Sequence, residues 1–284
     1  MKIAYQGEPG AFSEAAARRV DSEAQLVPSK TFEEVFERVA GDPATWGVLP
    51  FENSIGGSIH RNYDLLLSHD LPIVGEVELP VVHHLLALPG ATLAGLRRVY
   101  SHPQGLAQCE RFLRTLSNVE IIATYDTAGS AKMVADAGQK EAAAIASARA
   151  GEVFGLVSLA ASVQDFDDNI TRFLVIGRKP IRDAVPDKTS IVFSLPNEPG
   201  SLFKALSVFA LRGIDLTKLE SRPIPGRPWE YLFYVDLGVA RDEVTCARAL
   251  THLSEFAPML RTLGTYASWK TQEGRTPDPF EVVS

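Results

Sequence analysis

Apolar and polar positions follow two alternating periods through most of this chain. Lys2-Ile3-Ala4-Tyr5 reads as extended, a glycine-bearing turn from Gly7 to Ser13 follows, and Glu14 to Arg19 reads as helical. Gln25-Leu26-Val27 predicts a short strand. Thr31-x-x-Glu34 has the form of a capping box. Phe32, Val35, Phe36 and Val39 then share one helix face. Trp46 to Pro50 predicts another strand, ending in Glu52-Asn53-Ser54 and Gly56-Gly57. Arg98 to Ser101 is extended, and Pro103 stands at a first helical position, where a missing N–H costs nothing. Strands at Val119–Ala123, Ala142–Ile145 and Thr171–Ile176 alternate with helices at Thr127–Ala137 and from Ser147. This rhythm predicts a mainly parallel α/β architecture with helices on both faces.

The pattern breaks at Arg178 to Asp187, where two prolines and mixed charge predict a linker. Beyond it lie strands at Thr189–Leu195, Ile214–Ser221, Tyr231–Leu237 and Leu260–Ala267, with helices at Pro199–Leu211 and Asp242–Phe256. That order, β-α-β-β-α-β, predicts a ferredoxin-like unit. The stretch from Lys270, with Pro277 and Pro279, predicts a mobile tail. The length of 284 residues agrees with about two domains at roughly 150 residues each.

Composition narrows the classes. The hydrophobic fraction of 45% excludes a disordered chain. The net charge of -7 and the lack of a dense Lys/Arg run argue against nucleic acid as a partner. The longest uncharged run, Leu79 to Leu96, holds two prolines, two glycines, His83 and His84, so no membrane span is expected. The start of the chain lacks the apolar stretch of a secretory signal, and the two cysteines, Cys109 and Cys246, have no metal-ligand spacing. These features predict a reduced, cytoplasmic protein.

The unusual polar residues collect at the ends of predicted strands, where open α/β sheets bind ligands. Gly7-Glu8-Pro9-Gly10-Ala11-Phe12-Ser13 is one such turn, and the helix start behind it can present N–H groups to an anion. Taken alone it reads more readily as a plain strand-to-helix turn, since glycine turns are common. Asn53 and Ser54 supply donors and acceptors, or cap the next helix. Gln104 and Gln108 share a helix face beside Ser101, which suits a small polar ligand or a solvated surface. His102 reads as a cap, and Cys109 as a buried thiol rather than a nucleophile. Thr127-Ala128-Gly129-Ser130 begins a helix with hydroxyls. Thr171-Arg172-Phe173 opens a strand, and Arg172 can grip a carboxylate or pair with a nearby acid. A phosphate-binding loop, a dinucleotide fingerprint, a zinc spacing and a nucleophile elbow are all absent, so no cofactor is expected.

Taken in order, Gly7-x-x-Gly10-x-Phe12-Ser13, Pro50-Phe51-Glu52-Asn53-Ser54, Ser101-His102-Pro103-Gln104, Gln108-Cys109 and Thr171-Arg172-Phe173 resemble the prephenate dehydratase family. Glu220-Ser221-Arg222-Pro223 looks like the signature of its regulatory ACT domain. The chain departs from the family's usual pattern at Gly105, where Ala is usual, at Asp126, where a hydroxyl is common, and at Gly200-Ser201-Leu202, where the ligand loop usually reads Gly-Ala-Leu.

The resemblance implies a two-lobed catalytic domain like a periplasmic binding protein over 1–178, with one lobe at about 1–75 plus 160–178 and the other at about 76–159. A linker at 179–188, an ACT domain at 189–268 and a tail at 269–284 follow. The implied reaction takes prephenate to phenylpyruvate, water and carbon dioxide. By resemblance Thr171 is the candidate donor to the departing hydroxyl, and Asn53, Ser101 and Gln108 orient the ring. Gly10, Ser13, Ser54, Gln104, Thr127, Arg172 and Phe173 are the candidate substrate contacts. Phenylalanine is the implied effector, at Asn197, Gly200, Ser201, Leu202, Glu220, Ser221, Arg222 and Pro223, in a homodimer or homotetramer. Two alternatives stand beside it: an arogenate dehydratase, which the sequence does not separate from a prephenate enzyme, and a noncatalytic two-lobed receptor of the same fold, which need not retain Thr171-Arg172-Phe173 with Ser101 and Gln108 as a set.

Overall fold

A computed structural model describes residues 1–270 except Arg182 and Pro225. The expected tail therefore lies outside the described residues beyond Lys270, as does Arg182 of the expected linker. In chain order the elements are β1 (Lys2–Gln6), α1 (Phe12–Val20), β2 (Gln25–Ser29), α2 (Phe32–Gly41), β3 (Thr45–Asn53), the two-residue β4 (Gly57–Ser58) and α3 (His60–Ser68). There follow β5 (Ile73–Pro80), β6 (His84–Ala87), β7 (Arg98–Ser101), α4 (Pro103–Ala107), α5 (Glu110–Leu113), β8 (Glu120–Ala123), α6 (Thr127–Ala137), β9 (Ala142–Ala146), α7 (Ala148–Phe154), β10 (Val157–Ala160) and β11 (Ile170–Ile176). The last set is β12 (Lys188–Ser194), α8 (Ser201–Ala210), β13 (Leu216–Ile224), β14 (Arg227–Leu237), α9 (Val244–Ser254) and β15 (Met259–Tyr266).

Two compact units divide the chain: residues 1–69 with 77–174, and residues 70–76 with those from 175 onward. The first unit has two lobes. In one, β1 pairs in parallel with β2 and with β3, and α1 and α2 cover the sheet. α2 begins as its pattern demands: Thr31 Oγ1 accepts from Glu34 N at 3.2 Å, and Val35, Phe36 and Val39 are fully buried. The second lobe carries the sheet β10-β6-β9-β7-β8. β9 (Ala-Ala-Ala-Ile-Ala) is buried on both sides. Ala142, Ala144 and Ala146 face the helices α6 and α7, while Ala143 and Ile145 face Cys109, Leu96 and Val163. This sheet is mixed rather than mainly parallel. β7 runs parallel to β8 and β9, but β6, from a short run between Pro80 and Pro89, is antiparallel to both its neighbours, β9 and β10.

The C-terminal unit has the sheet order β13-β14-β12-β15, with β12 antiparallel to both neighbours. This is a ferredoxin-like βαββαβ fold. Ile191, Phe193, Val235 and Leu237 pack under Ala205, Val208 and Phe209 of α8 and Ala249, Leu250 and Leu253 of α9. β13 and β14 run further towards their turn than the sequence pattern predicts. Pro223 is tolerated because β13 is an edge strand, and Pro228 lies past the last residue of β14 that pairs with β12. Trp269, at the start of the expected tail, is buried, and its N–H donates to Glu76.

Both cysteines are buried and free. Burial pushes the Cys109 thiol up to about 12, and it raises that of Cys246. Neither should react with a thiol reagent at about pH 8 in the native protein, and both should react after unfolding. Prompt titration of a native thiol would contradict this packing.

Candidate active site

A cavity of about 380 Å³ opens in the first unit, within the size range of small-molecule sites. Its wall is assembled from strand ends and helix starts. The first lobe gives Gln6, Phe12, Ser13 and Asn53, the second gives His83, Gln104, Gln108 and Thr127, and β11 gives Thr171 and Phe173. α1 starts at Ala11 without a side-chain cap, so its positive end and first-turn N–H groups remain open to an anion beside Ser13.

The hydrogen bonds at the centre fix one another's direction. Asn53 Oδ1 accepts from the main-chain N–H of Ile55 at 3.1 Å and of Gly56 at 2.7 Å. Its amide orientation is thereby settled, because those donors require an oxygen. Asn53 Nδ2 must then be the donor to Asn169 Oδ1 at 2.7 Å and to Thr171 Oγ1 at 3.0 Å. Thr171 accepts this bond, which leaves its own hydroxyl hydrogen to be given elsewhere. Gln108 Nε2 donates to Asn53 Oδ1 at 3.2 Å, and Gln108 Oε1 lies 2.9 Å from His83 Nε2.

Seven of the expected residues meet at this cavity: Asn53, Gln108, Thr171, Ser13, Gln104, Thr127 and Phe173. Four others stand outside its wall, each for a visible reason. Ser101 is fully buried, donates to Ile145 O at 2.7 Å, and sits behind Gly105. A Cβ at Gly105 would lie 2.8 Å from Ser101 Oγ, so this glycine keeps the wall thin. Ser54 is a staple: its hydroxyl donates to Asp168 O at 2.7 Å and accepts from Ile170 N at 2.9 Å, locating the start of β11. Arg172 corrects the expected grip on a carboxylate. Strand alternation turns it away from Thr171 and Phe173, and it pairs with Glu52 at 3.7 Å.

Gly10 is the fourth. It has φ +90°, and an added Cβ would lie 2.6 Å from Ala150 Cα in the second lobe. Its role is close approach of backbone to backbone, reinforced by Ser147 Oγ donating to Gly10 O at 2.6 Å. Gly10→Ala should lower the unfolding free energy by about 1–3 kcal/mol, as overpacking of a tight site does. An unchanged melting temperature would remove that role.

The expected effector residues occupy the C-terminal unit. Gly200, at φ +86°, precedes α8, and Ser201 and Leu202 form its first turn. Asn197 lies in the loop before it, while Glu220 to Pro223 lie on β13, with Glu220 3.9 Å from Lys218.

Sequence reasoning missed His83, Asp126 and Tyr125 as parts of the cavity wall. Asp126 caps α6 by accepting from Ala128 N at 2.9 Å, and it accepts from Glu8 N at 3.2 Å. Burial raises its carboxyl pKa, against the pull of these N–H groups. Burial also keeps His83 and His102 below the usual imidazole range. No Lys or Arg stands among the described residues of the wall, so anions must be met by N–H and hydroxyl groups.

An α/β unit whose two lobes enclose a polar cleft, followed by a ferredoxin-like unit, has the build of a small-molecule enzyme with an appended regulatory domain. The prephenate dehydratase family model matches residues 3–181, and the ACT domain model matches residues 189–250. The chain belongs to the prephenate dehydratase family, lyases of aromatic amino-acid biosynthesis, and carries a C-terminal ACT domain. It is 50% identical over 277 residues to "Arogenate dehydratase/prephenate dehydratase 2, chloroplastic" of Arabidopsis thaliana, covering 94% of this chain and 72% of that one. A crystal structure of prephenate dehydratase in complex with L-Phe from Arthrobacter aurescens is 31% identical, with a TM-score of 0.86, over 96% of this chain and 91% of that one. A structure described as "GqqA- a novel type of quorum quenching acylases" is 36% identical, with a TM-score of 0.85, over 94% of this chain and 98% of that one.

The expected cytoplasmic setting does not stand, because similar plant relatives are named as chloroplastic proteins. Two buried thiols fit any reducing compartment, so the cysteine argument could not separate the two.

Proposed function

We propose that the cleft converts prephenate to phenylpyruvate, water and carbon dioxide. The observation that carries this reading is the direction of the Asn53–Thr171 hydrogen bond, which leaves a hydroxyl hydrogen for a ligand. In the reaction the ring carbon–oxygen bond breaks with its electron pair on oxygen, which takes up a proton and departs as water. The bond from ring to carboxylate breaks, its pair enters the ring, and carbon dioxide leaves. Aromatisation supplies the driving force, so the site must chiefly stabilise the departing oxygen. A Thr hydroxyl is a poor acid. Thr171 therefore acts as a hydrogen-bond donor or relay, with Asn53 and Gln108 holding the ring in register.

The open start of α1 with Ser13, together with Thr127 and Gln104, would hold the carboxylates. Ser101, Ser54, Gly10 and Arg172 would support the wall from behind. In this reading residues 1–178 carry the chemistry. Phenylalanine would bind the ACT domain over 189–268, using Asn197, Gly200–Leu202 and Glu220–Pro223 in paired copies, and inhibit the cleft.

A second reading, arogenate to phenylalanine, is favoured by Asp126. Arogenate carries an ammonium group where prephenate has a ketone, and a buried carboxylate in the wall offers that cation a partner. Turnover of both substrates side by side, with phenylpyruvate and phenylalanine measured, decides between them. No turnover of either would favour a noncatalytic receptor. Calorimetry of phenylalanine with the intact chain tests the regulatory part. A cleft ligand must alter phenylalanine affinity by the same factor as the reverse, typically about 5–150-fold. No heat of binding at millimolar phenylalanine would remove it.

A further inference from the structure

We propose that His83 is a positioning residue of this reaction, holding the Gln108 amide so that an N–H, not a carbonyl, faces the substrate. The inference rests on the dehydratase reading of the cleft. Its starting point is the fixed direction of the central hydrogen bonds. Asn53 Oδ1 is held by two main-chain donors, so Gln108 must offer it Nε2. Gln108 Oε1 then faces His83 Nε2 at 2.9 Å, and that nitrogen must carry the hydrogen. The His83 tautomer follows from its neighbours.

The rest of the ring is arranged for a neutral imidazole. His83 is 1% exposed, and its Nδ1 has no partner among the described residues. A protonated ring would bury an unanswered N–H there. Phe12 packs against the ring edge-on, with centroids 5.4 Å apart. The main chains of His83 and Gln108 are tied to one segment. His83 N donates to Gln164 Oε1 at 3.0 Å, Val163 N donates to His83 O at 2.9 Å, and Asp165 N donates to Gln108 O at 2.7 Å. Ring and amide are therefore held in register by a shared anchor. Gln108 Nε2 has two hydrogens. One is given to Asn53, and the other is left for the cavity that Gln108 lines. Without the His83 donor, Gln108 Oε1 loses its partner and only the 3.2 Å bond to Asn53 Oδ1 restrains the amide, so the plane of the amide and the aim of its second hydrogen are no longer fixed on the substrate.

Three variants and one spectrum test this. His83→Leu should lower kcat by roughly 10–100-fold, the cost of a misplaced polar group, with KM changed by less than about threefold. His83→Gln, whose amide nitrogen falls near the place of Nε2, should stay within about fivefold of the parent. In a Gln108→Leu background, His83→Leu should cost less than about twofold more, because the two act as a unit. If His83→Leu does not fold, His83→Asn, too short to reach Gln108, takes its place. The histidine ring ¹⁵N spectrum of the intact protein should show a neutral, Nε2-protonated His83 whose ring proton shifts in Gln108→Leu. A parent-like kcat in His83→Leu, an equal loss in His83→Gln, or multiplied losses in the double variant would overturn the inference. So would an Nδ1-protonated ring. Failure of the parent protein to turn over either substrate would instead overturn the dehydratase reading, while the spectrum still decides the His83–Gln108 bond.

Discussion

Thr171→Val is expected to lower kcat by roughly 10²–10⁴-fold, the range for one positioned proton-transfer group, with substrate affinity little changed. Valine keeps the branched shape and the β-strand preference of threonine, so β11 should keep its register and Phe173 its place. What is lost is the donor. The wild-type hydroxyl is already supplied with a hydrogen bond from Asn53 Nδ2 at 3.0 Å, which makes its own hydrogen the free one. In the proposed reaction the hydrogen bond that Thr171 gives acts mainly in the transition state, as negative charge builds on the departing oxygen, so kcat rather than KM should carry the loss. The variant leaves Asn53 Nδ2 bonded to Asn169 Oδ1, so stability should fall by no more than about 1–2 kcal/mol. A folded Thr171→Val protein with near-normal kcat would remove this hydroxyl from the mechanism.

Lys188→Met should cost about 3–5 kcal/mol of stability, the loss seen when one partner of a buried ion pair is removed. Lys188 opens β12, and its Nζ donates to both oxygens of Glu76, at 2.7 and 2.9 Å. Trp269 N gives the same carboxylate a third bond at 3.0 Å. The Lys188 and Glu76 side chains are 11% and 2% exposed, so water cannot replace the missing cation. The carboxylate would then be left buried without its cation. Replacing both partners, as Lys188→Met with Glu76→Leu, removes the stranded charge and should recover much of the loss. Denaturant unfolding of the three variants gives the cycle. A single variant within about 1 kcal/mol of the parent would show that the pair is effectively hydrated.

The parts of the fold legible in the sequence were those with local patterns. α2 is the clearest. Thr31 caps it as the motif predicts, although Glu34 reaches back to Lys30 N rather than to Thr31 N. The ferredoxin-like order of the C-terminal unit was equally readable from its periods. β6 and β10 were not: each has four residues, as β7 and β8 do, but neither leads into a helix start such as Pro103 or Thr127 that marks where the strand ends.

The site was legible only in part, since its centre is joined by chain segments far apart. Asn53 and Thr171 are 118 residues apart, and no local pattern encodes their meeting. Arg172 illustrates a signal that was present. A strand that turns Thr171 and Phe173 inward must turn the residue between them outward. His83 carried no such signal, because it lies just before a short strand with no period to place its ring.

The dehydratase reading of the cleft is tested most directly with prephenate isotopically labelled in its ring carboxylate, by following labelled carbon dioxide and phenylpyruvate in one sample of the intact protein. The two products are expected in equal amounts, and their rates should fall together in Thr171→Val. Release of neither product from prephenate, with no carbon dioxide from equally labelled arogenate, would contradict it.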